Sequence, residues 1–325
     1  MKIKIKFTIC LLVVCSLLLA QQLSIDEAVA VAMTNHPVAR NIVLAQQNDE
    51  LMQRSRHHRI LASTRQAERI LALDKLAWQV KSAYMEVVYF RRRLQIIQEH
   101  NYYFEALISV AEIHLAADSI TELERVSAGT CYAIYQSRMY IAEEEVKRAE
   151  SLLCQLLYLP VGTVEPSETD LELYQIHSEK PANERFEPVK YKGVDEAQLR
   201  EAQSLVKLEK RKLFSQRARI KQAETGVKMK ANEIEYRQFV AMQHVETLQS
   251  LLDEYFVQLS LSKENMLVEA RLTLQEVEKD FAAGRITNYA DVFTKVSNAV
   301  SAKLNHLEFM NLYNQTALEL EFCTQ

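Results

Sequence analysis

Residues 76–115, LAWQVKSAYMEVVYFRRRLQIIQEHNYYFEALISVAEIHL, decide the fold of this chain. Apolar side chains recur along this stretch in alternating steps of four and three residues, and one place in the series, Asn101, is polar. The apolar members are Leu76, Val80, Ala83, Val87, Phe90, Leu94, Ile97, Phe104, Ile108, Ala111 and Leu115. A repeat sustained over this length predicts a coiled-coil seam on a helical rod of roughly 60 Å.

A second seam follows a short break at residues 116–121, whose sequence is AADSIT. Its members are Ala128, Tyr132, Tyr135, Met139, Ala142, Val146, Ala149, Leu153 and Leu156. Two long helices that are joined by a few residues must run antiparallel, so the sequence predicts a long helical hairpin. Pro160 and Gly162 mark its end, because neither residue favours continuation of a helix.

The second half of the chain repeats this organisation. Helical periodicity resumes near Val194, breaks at residues 282–287 (AAGRIT), and returns in a final helix over about 289–322. The two breaks align with an offset of 166 residues, from Asp118 to Gly284, and each lies between two long helices. The prediction is an all-α fold made of two tandem repeats of long antiparallel coiled-coil hairpins.

Composition supports this fold class and excludes several functions. The 325 residues include five glycines and five prolines, too few for an all-β fold with its many turns. The net charge of −4 and the absence of a polybasic tract argue against nucleic acid as a partner. The sequence has no recognisable catalytic triad, phosphate-binding loop or Cys/His cluster, so we expect no enzyme activity, no metal site and no cofactor.

The N-terminus has the features of a secretory signal. Lys2, Lys4 and Lys6 precede an apolar run over residues 7–19, which is short for a transmembrane helix. Lipidation at Cys15 and an uncleaved anchor remain open alternatives. Loss of the signal would remove three lysines and no acidic residue, so the net charge of −4 would become −7.

The predicted domain organisation therefore has four parts. They are a signal peptide over 1–20, helical repeat 1 over 21–160, a connector over 161–194 and helical repeat 2 over 195–325. The connector region is richer in proline and glycine than either repeat.

Several short motifs resemble those of the TolC-like outer membrane factor (outer membrane efflux protein) family. They are LSIDEA at 23–28, NHP at 35–37, VKSAY at 80–84, LYLP at 157–160, the Gly284 break and YNQTA at 313–317. Each motif is short, but their order and the duplication are specific, and the resemblance covers nearly all of the chain after the signal.

The resemblance implies a homotrimer whose helices form a periplasmic tunnel at the cell outer membrane. It also implies docking of the inter-helix tips onto a periplasmic adaptor (membrane fusion) protein, which is linked to an inner-membrane pump that exports metals or drugs. The residues that the resemblance assigns to docking are Ala117, Asp118, Ser119, Ile120, Thr121, Ala283, Gly284, Arg285, Ile286 and Thr287. Simple turn formation is the alternative role for the same residues.

One departure from the family affects the membrane end. Family members place β-hairpins within each repeat and close them into an outer-membrane barrel, whereas residues 38–82 and 213–235 here have helical patterns. We therefore expect the barrel strands to be mostly absent. This departure leaves a second functional hypothesis, a barrel-less periplasmic coiled-coil interaction or assembly protein.

Overall fold

A computed structural model of the protein describes residues 21–52, 56–167, 172–174, 188–211, 217–286 and 288–324. The predicted signal segment and Thr287 lie outside the described residues. In chain order the elements are β1 (Gln21–Leu23), α1 (Ile25–Asn35), α2 (Pro37–Met52), α3 (Arg56–Glu99), α4 (Asn101–Ala116), α5 (Glu122–Leu157), β2 (Val164–Pro166), α6 (Lys192–Lys210), α7 (Arg217–Leu261), a π-helical turn (Ser262–Met266), α8 (Leu267–Ala282) and α9 (Tyr289–Thr324). The predicted class, all-α with two long helical hairpins, is confirmed.

The two halves of the chain contain matching helices. α4 and α8 have 16 residues each, and α5 and α9 have 36 residues each. α8 begins 166 residues after α4, from Asn101 to Leu267, which is the offset between the two tip motifs. The duplication seen in a six-residue motif therefore extends over both hairpins.

The first seam is interrupted, although the periodicity predicts one continuous helix. α3 ends at Glu99, and His100 has φ −103° and ψ −1°. The His100 N–H donates to the Ile97 carbonyl at 3.3 Å, while the His100 ring nitrogen Nδ1 lies 2.6 Å from the Ile96 carbonyl oxygen. In a regular helix that oxygen would accept from the His100 N–H, so the side chain replaces a backbone hydrogen bond. The second repeat is interrupted at the equivalent place by the π-helical turn.

Local sequence signals set the helix starts. Ser24 caps α1 through a reciprocal capping box, in which its hydroxyl accepts from the Glu27 N–H and the Glu27 carboxylate accepts from the Ser24 N–H at 2.8 Å. Pro37 occupies the first position of α2, where its missing N–H costs no intrahelical hydrogen bond. The sequence around Pro37 therefore divides the chain into α1 and α2 at this point. The described parts of 38–82 and 213–235 are helical, as expected.

The long helices pack in a fixed order. α3 packs against both α5 and α9, and α9 packs in turn against α7 and α8. α5 thus lies at one side of the assembly and α7 with α8 at the other. Two buried clusters lie between them. The larger includes Val80, Val87, Leu153 and Val296, all of which are almost completely buried, and a smaller one joins α7 to the end of α9. Among the described helices, none combines the length and apolar character that crossing a membrane as a helix requires.

A small parallel sheet, which the sequence analysis missed, joins the start of repeat 1 to the connector. β1 pairs with β2 so that Leu23 lies opposite Pro166. The Tyr84 hydroxyl on α3 donates to the Leu23 carbonyl at 2.7 Å and accepts from the Ser167 N–H at 3.1 Å. A buried tyrosine therefore fastens the two strands to the helical layer.

Candidate docking surface at the helix tips

The first tip closes α4 with a left-handed residue. Asp118 has φ 53°, the Ser119 N–H donates to the His114 carbonyl at 2.9 Å, and the Asp118 N–H donates to the Leu115 carbonyl at 3.0 Å. This pair of hydrogen bonds defines a Schellman motif, which satisfies carbonyls that the helix end would otherwise leave unpaired.

The second tip closes α8 in the same way. Gly284 has φ 62°, the Arg285 N–H donates to the Asp280 carbonyl at 3.0 Å, and the Gly284 N–H donates to the Phe281 carbonyl at 3.1 Å. Glycine adopts this conformation without steric cost, whereas aspartate at the equivalent position of the first tip is one of the few other residues that tolerate it.

Relative to the aligned tip motifs, α9 starts one residue later than α5. Thr121 caps α5 through a capping box with Glu124, and the Thr121 N–H lies 2.8 Å from that carboxylate. In the second repeat the Asn288 side-chain oxygen accepts from the Asp291 N–H at 3.1 Å, ahead of the start of α9 at Tyr289. The aligned motifs pair Thr121 with Thr287, but the described cap of α9 is Asn288.

The structure brings the two tips together at one end of the molecule. The Tyr289 hydroxyl, at the start of α9, is hydrogen-bonded to Nδ1 of His114 on the last turn of α4, with the two atoms 2.8 Å apart. Ile120 and Ile286, which hold equivalent places in the two tips, pack on the same hydrophobic core. The described residues of the two predicted tips therefore lie at the same end of the molecule.

The predicted docking residues fall into two groups by exposure. Ile286 is buried and Ile120 is half-buried, so these two side chains anchor the turns. The exposed members are Ala117, Asp118, Ser119, Thr121, Ala283, Gly284 and Arg285. The tip that faces solvent is therefore formed by small and polar side chains.

Sequence reasoning missed an apolar patch beside the first tip. Leu123 is 78% exposed, Ile113 65% and Val126 46%. These residues lie on the last turn of α4 and the first turn of α5, and none belongs to the coiled-coil seams. In the sequence these residues can be recognised as apolar residues that lie close to a helix break but outside the seam. The seam pattern predicts only buried residues, so it does not point to them.

Charges around the tips are locally paired. Arg125 lies 2.7 Å from Glu122, and this guanidinium lowers the pKa of the Glu122 carboxyl. Hydrogen bonding by the Thr121 N–H lowers the pKa of Glu124, and Arg285 lies 3.2 Å from Asp280. Glu122, Glu124 and Asp280 therefore each have a cation or an N–H as partner. In the described part of the chain, no group of three or more His, Cys, Asp or Glu side chains is arranged to hold a metal ion.

Comparison of the sequence with protein-family models and with curated proteins yields no match. Comparison of the structure with solved structures gives several strong matches. A membrane protein from Pseudomonas aeruginosa aligns with a TM-score of 0.78 at 11% identity, covering 93% of both chains. CusC, described as forming a transmembrane channel, aligns with a TM-score of 0.72 at 13% identity, covering 94% of this chain and 93% of its own.

The outer membrane protein VceC from Vibrio cholerae aligns with a TM-score of 0.72 at 9% identity, covering 92% of this chain and 94% of its own. The TM-scores show that the chain shares the fold of these structures, and identities this low carry the comparison no further. The fold is TolC-like, so the expected resemblance is confirmed at the level of the fold.

Proposed function

We propose that this protein is the outer membrane component of an export system and supplies the helical periplasmic tunnel of a tripartite efflux pump. The observation that carries the proposal is the duplicated hairpin, α4 with α5 and α8 with α9, in a fold that matches outer membrane channels over more than nine-tenths of the chain. The role is that of a passive conduit, which requires no catalytic residue and no cofactor.

The tunnel would be formed by several copies, most simply a homotrimer. Exposed apolar side chains lie on both outer helices, including Tyr140 and Ile141 on α5 and Tyr236 and Phe239 on α7. Contact between the α5 side of one copy and the α7 side of the next is a heterologous interface, which closes into a ring of three when successive copies are related by a rotation of a third of a turn. Burial of both stripes would stabilise this ring through the hydrophobic effect.

The tips would dock onto a periplasmic adaptor, which connects the tunnel to an inner-membrane pump. The apolar patch of Ile113, Leu123 and Val126 gives such a partner a small hydrophobic contact, and the turns at Asp118 and Gly284 lie beside it at the same end of the molecule. Exposed apolar clusters of this kind are typical of protein interaction sites.

The exported compounds are proposed to be toxic metals or drugs, and the site of action is the outer membrane and periplasm. A deletion strain that is complemented with the full-length gene tests this directly. We expect the deletion strain to accumulate ethidium or to become sensitive to copper or silver salts, and complementation to reverse the effect.

Leu123→Glu tests docking at the tips, because this substitution places a charge in the apolar patch and leaves the buried core residues unchanged. We expect the variant to reach normal levels and fail to restore export, while Leu152→Glu, at an exposed site far along α5, restores it. Unchanged accumulation in the deletion strain, together with recovery of the protein in the detergent-free periplasmic fraction, would instead favour a periplasmic coiled-coil assembly protein.

A further inference from the structure

A cavity of about 900 Å³ lies where the two interrupted helices face each other across α9. Its walls come from the junction of α3 with α4, from the π-helical turn and α8, and from the middle of α9. The interruptions at His100 and at Ser262–Met266 border this space, so both breaks in the repeat contribute to one site. The volume is within the range of small-molecule binding sites.

Cationic groups are in excess around the cavity. Lys263, Arg271 and Lys303 line it, and no ion pair links any of the three to a carboxylate of the described residues. Arg92 also lines it and lies 3.6 Å from Glu99, so four cationic side chains surround the cavity against two carboxylates, Glu99 and Glu278. Glu278 accepts hydrogen bonds from Tyr103 at 2.6 Å and Tyr102 at 3.0 Å, while Glu99 accepts from Gln95 at 2.9 Å.

Lys303 is held by a neutral partner. Its ammonium lies 2.8 Å from Nε2 of His100, whose Nδ1 lies 2.6 Å from the Ile96 carbonyl. Because a carbonyl can only accept, Nδ1 donates and the unprotonated Nε2 accepts from the lysine. An ammonium has three N–H donors, and this hydrogen bond uses one of them without cancelling the charge.

Most of the remaining lining is apolar, apart from Arg92, Gln275 and His306. Ile96, Leu274 and Leu307 form the buried floor, and Leu267 and Met310 continue it. A ligand that fits this surface combines a negative head group with a hydrocarbon body. An inorganic anion would pair with the cationic side chains but leave the apolar floor uncovered. A neutral hydrocarbon would cover the floor but leave the cationic side chains without a counter-charge.

We propose that this cavity binds an amphipathic organic anion, a carboxylate or sulfonate attached to an apolar chain or ring. The head group lies among Lys263, Arg271 and Lys303, and the apolar body lies on the floor formed by Ile96, Leu274 and Leu307. The site is formed within a single chain, so the proposal does not depend on the export role or on an oligomer.

Calorimetric titration of the purified full chain tests the proposal with four probes. 1-Octanesulfonate carries both the negative head group and the apolar chain, and octyltrimethylammonium carries the same chain with a positive head group. 1-Octanol tests the chain without a charge, and inorganic sulfate tests the charge without a chain. We expect saturable binding of octanesulfonate that weakens with added salt, and at least about tenfold weaker binding of the other three, which corresponds to roughly 1.4 kcal/mol.

Substitutions of residues that line the cavity test whether octanesulfonate binds there. Lys263→Gln and Arg271→Gln change exposed side chains and should each weaken octanesulfonate binding about threefold, and the double variant by about tenfold. Lys279→Gln removes an exposed charge from the same helix as Arg271 but outside the cavity, and should leave binding unchanged. Circular dichroism confirms that each variant is folded.

Equal binding of the octyl cation or of octanol would overturn the proposal, because the sites would then be hydrophobic and unselective. The same loss in Lys279→Gln as in Arg271→Gln, or no loss in the double variant, would also overturn it, since binding would then occur elsewhere on the surface.

Discussion

Single buried side chains determine where the long helices of this protein are interrupted. His100 is 5% exposed and supplies a ring nitrogen to the Ile96 carbonyl, while its own N–H uses the Ile97 carbonyl. The Tyr135 hydroxyl on α5 also donates to the Ile97 carbonyl, at 2.6 Å. The carbonyls of Ile96 and Ile97 at the break between α3 and α4 are therefore paired by the side chain of His100 itself and by Tyr135 from α5.

Tyr135→Phe tests the tyrosine contribution. Loss of a buried hydroxyl that donates to a carbonyl should lower the free energy of unfolding by about 1 kcal/mol. Tyr140→Phe removes a hydroxyl from a side chain that is 64% exposed and should change it by less than about 0.5 kcal/mol. Urea denaturation of both variants measures the difference, and equal effects would show that the hydrogen bond to Ile97 contributes nothing.

His100 makes stability depend on pH in a definite direction. Burial, followed by the nearby Lys303 charge, lowers the pKa of His100 below its ordinary value of 6.5, while the Ile96 carbonyl and Glu99 oppose the shift. Below pH 6.5 the unfolded chain binds a proton at His100, whereas the folded chain leaves this side chain neutral. The contribution of His100 to the free energy of unfolding is therefore complete above about pH 6.5 and decreases as the pH falls.

The matched variant for this prediction is His100→Gln, whose amide can donate to the Ile96 carbonyl and accept from Lys303 without titrating. Between pH 7 and pH 5 we expect the melting temperature of the wild type to fall further than that of the variant. His306, whose pKa burial also lowers, contributes equally to both proteins. Parallel pH profiles for the two proteins would contradict a neutral His100.

At the scale of elements, the two tips end their helices with the same backbone conformation but with different residues. Both helices end in a left-handed residue, which is Asp118 in the first repeat and Gly284 in the second. An added Cβ at Gly284 would meet no atom within 4 Å, so any penalty for a side chain there comes from the backbone conformation alone.

Gly284→Ala should therefore destabilise the protein by about 1 kcal/mol. Gly226→Ala is the matched control, because Gly226 lies inside α7 with open space around it and the helix favours alanine by roughly 0.8–1 kcal/mol. The two substitutions should move the urea midpoint in opposite directions. A stabilising effect at Gly284 would mean that the tip does not require the left-handed conformation.

At the scale of the whole molecule, the order of the helices leaves apolar side chains on both outer sides. Tyr140 is 64% exposed on α5, and Phe239 is 57% exposed on α7. Scattered apolar residues are ordinary on protein surfaces, but each of these outer helices carries several of them. In the proposed ring, these two unlike sides of neighbouring copies would meet.

Tyr140→Glu and Phe239→Glu should each abolish this association while leaving helix content unchanged, because both side chains lie outside the core. Sedimentation velocity measures the outcome as a change from oligomer to monomer. Lys207→Glu, on the exposed side of α6, is the control and should leave the oligomer intact. A wild-type chain that sediments as a monomer at all concentrations would remove the basis for a ring.

The sequence by itself determined the helical rods, the breaks at Pro37 and at the two tips, and the duplication at an offset of 166 residues, from Asp118 to Gly284. Each of these follows from local properties, namely the period of apolar residues and the backbone preferences of Pro, Gly and capping residues. Seam residues such as Val80 and Leu153 are buried as their period predicts.

The tertiary structure alone decided which surfaces meet. The contact of Tyr102 and Tyr103 with Glu278 joins residues about 175 positions apart, and the pairing of β1 with β2 joins Leu23 to Pro166. The cavity beside His100 also depends on residues of the other repeat, including Lys303. A period states which face of a helix is apolar, but the choice of partner for that face depends on the packing of all the helices at once.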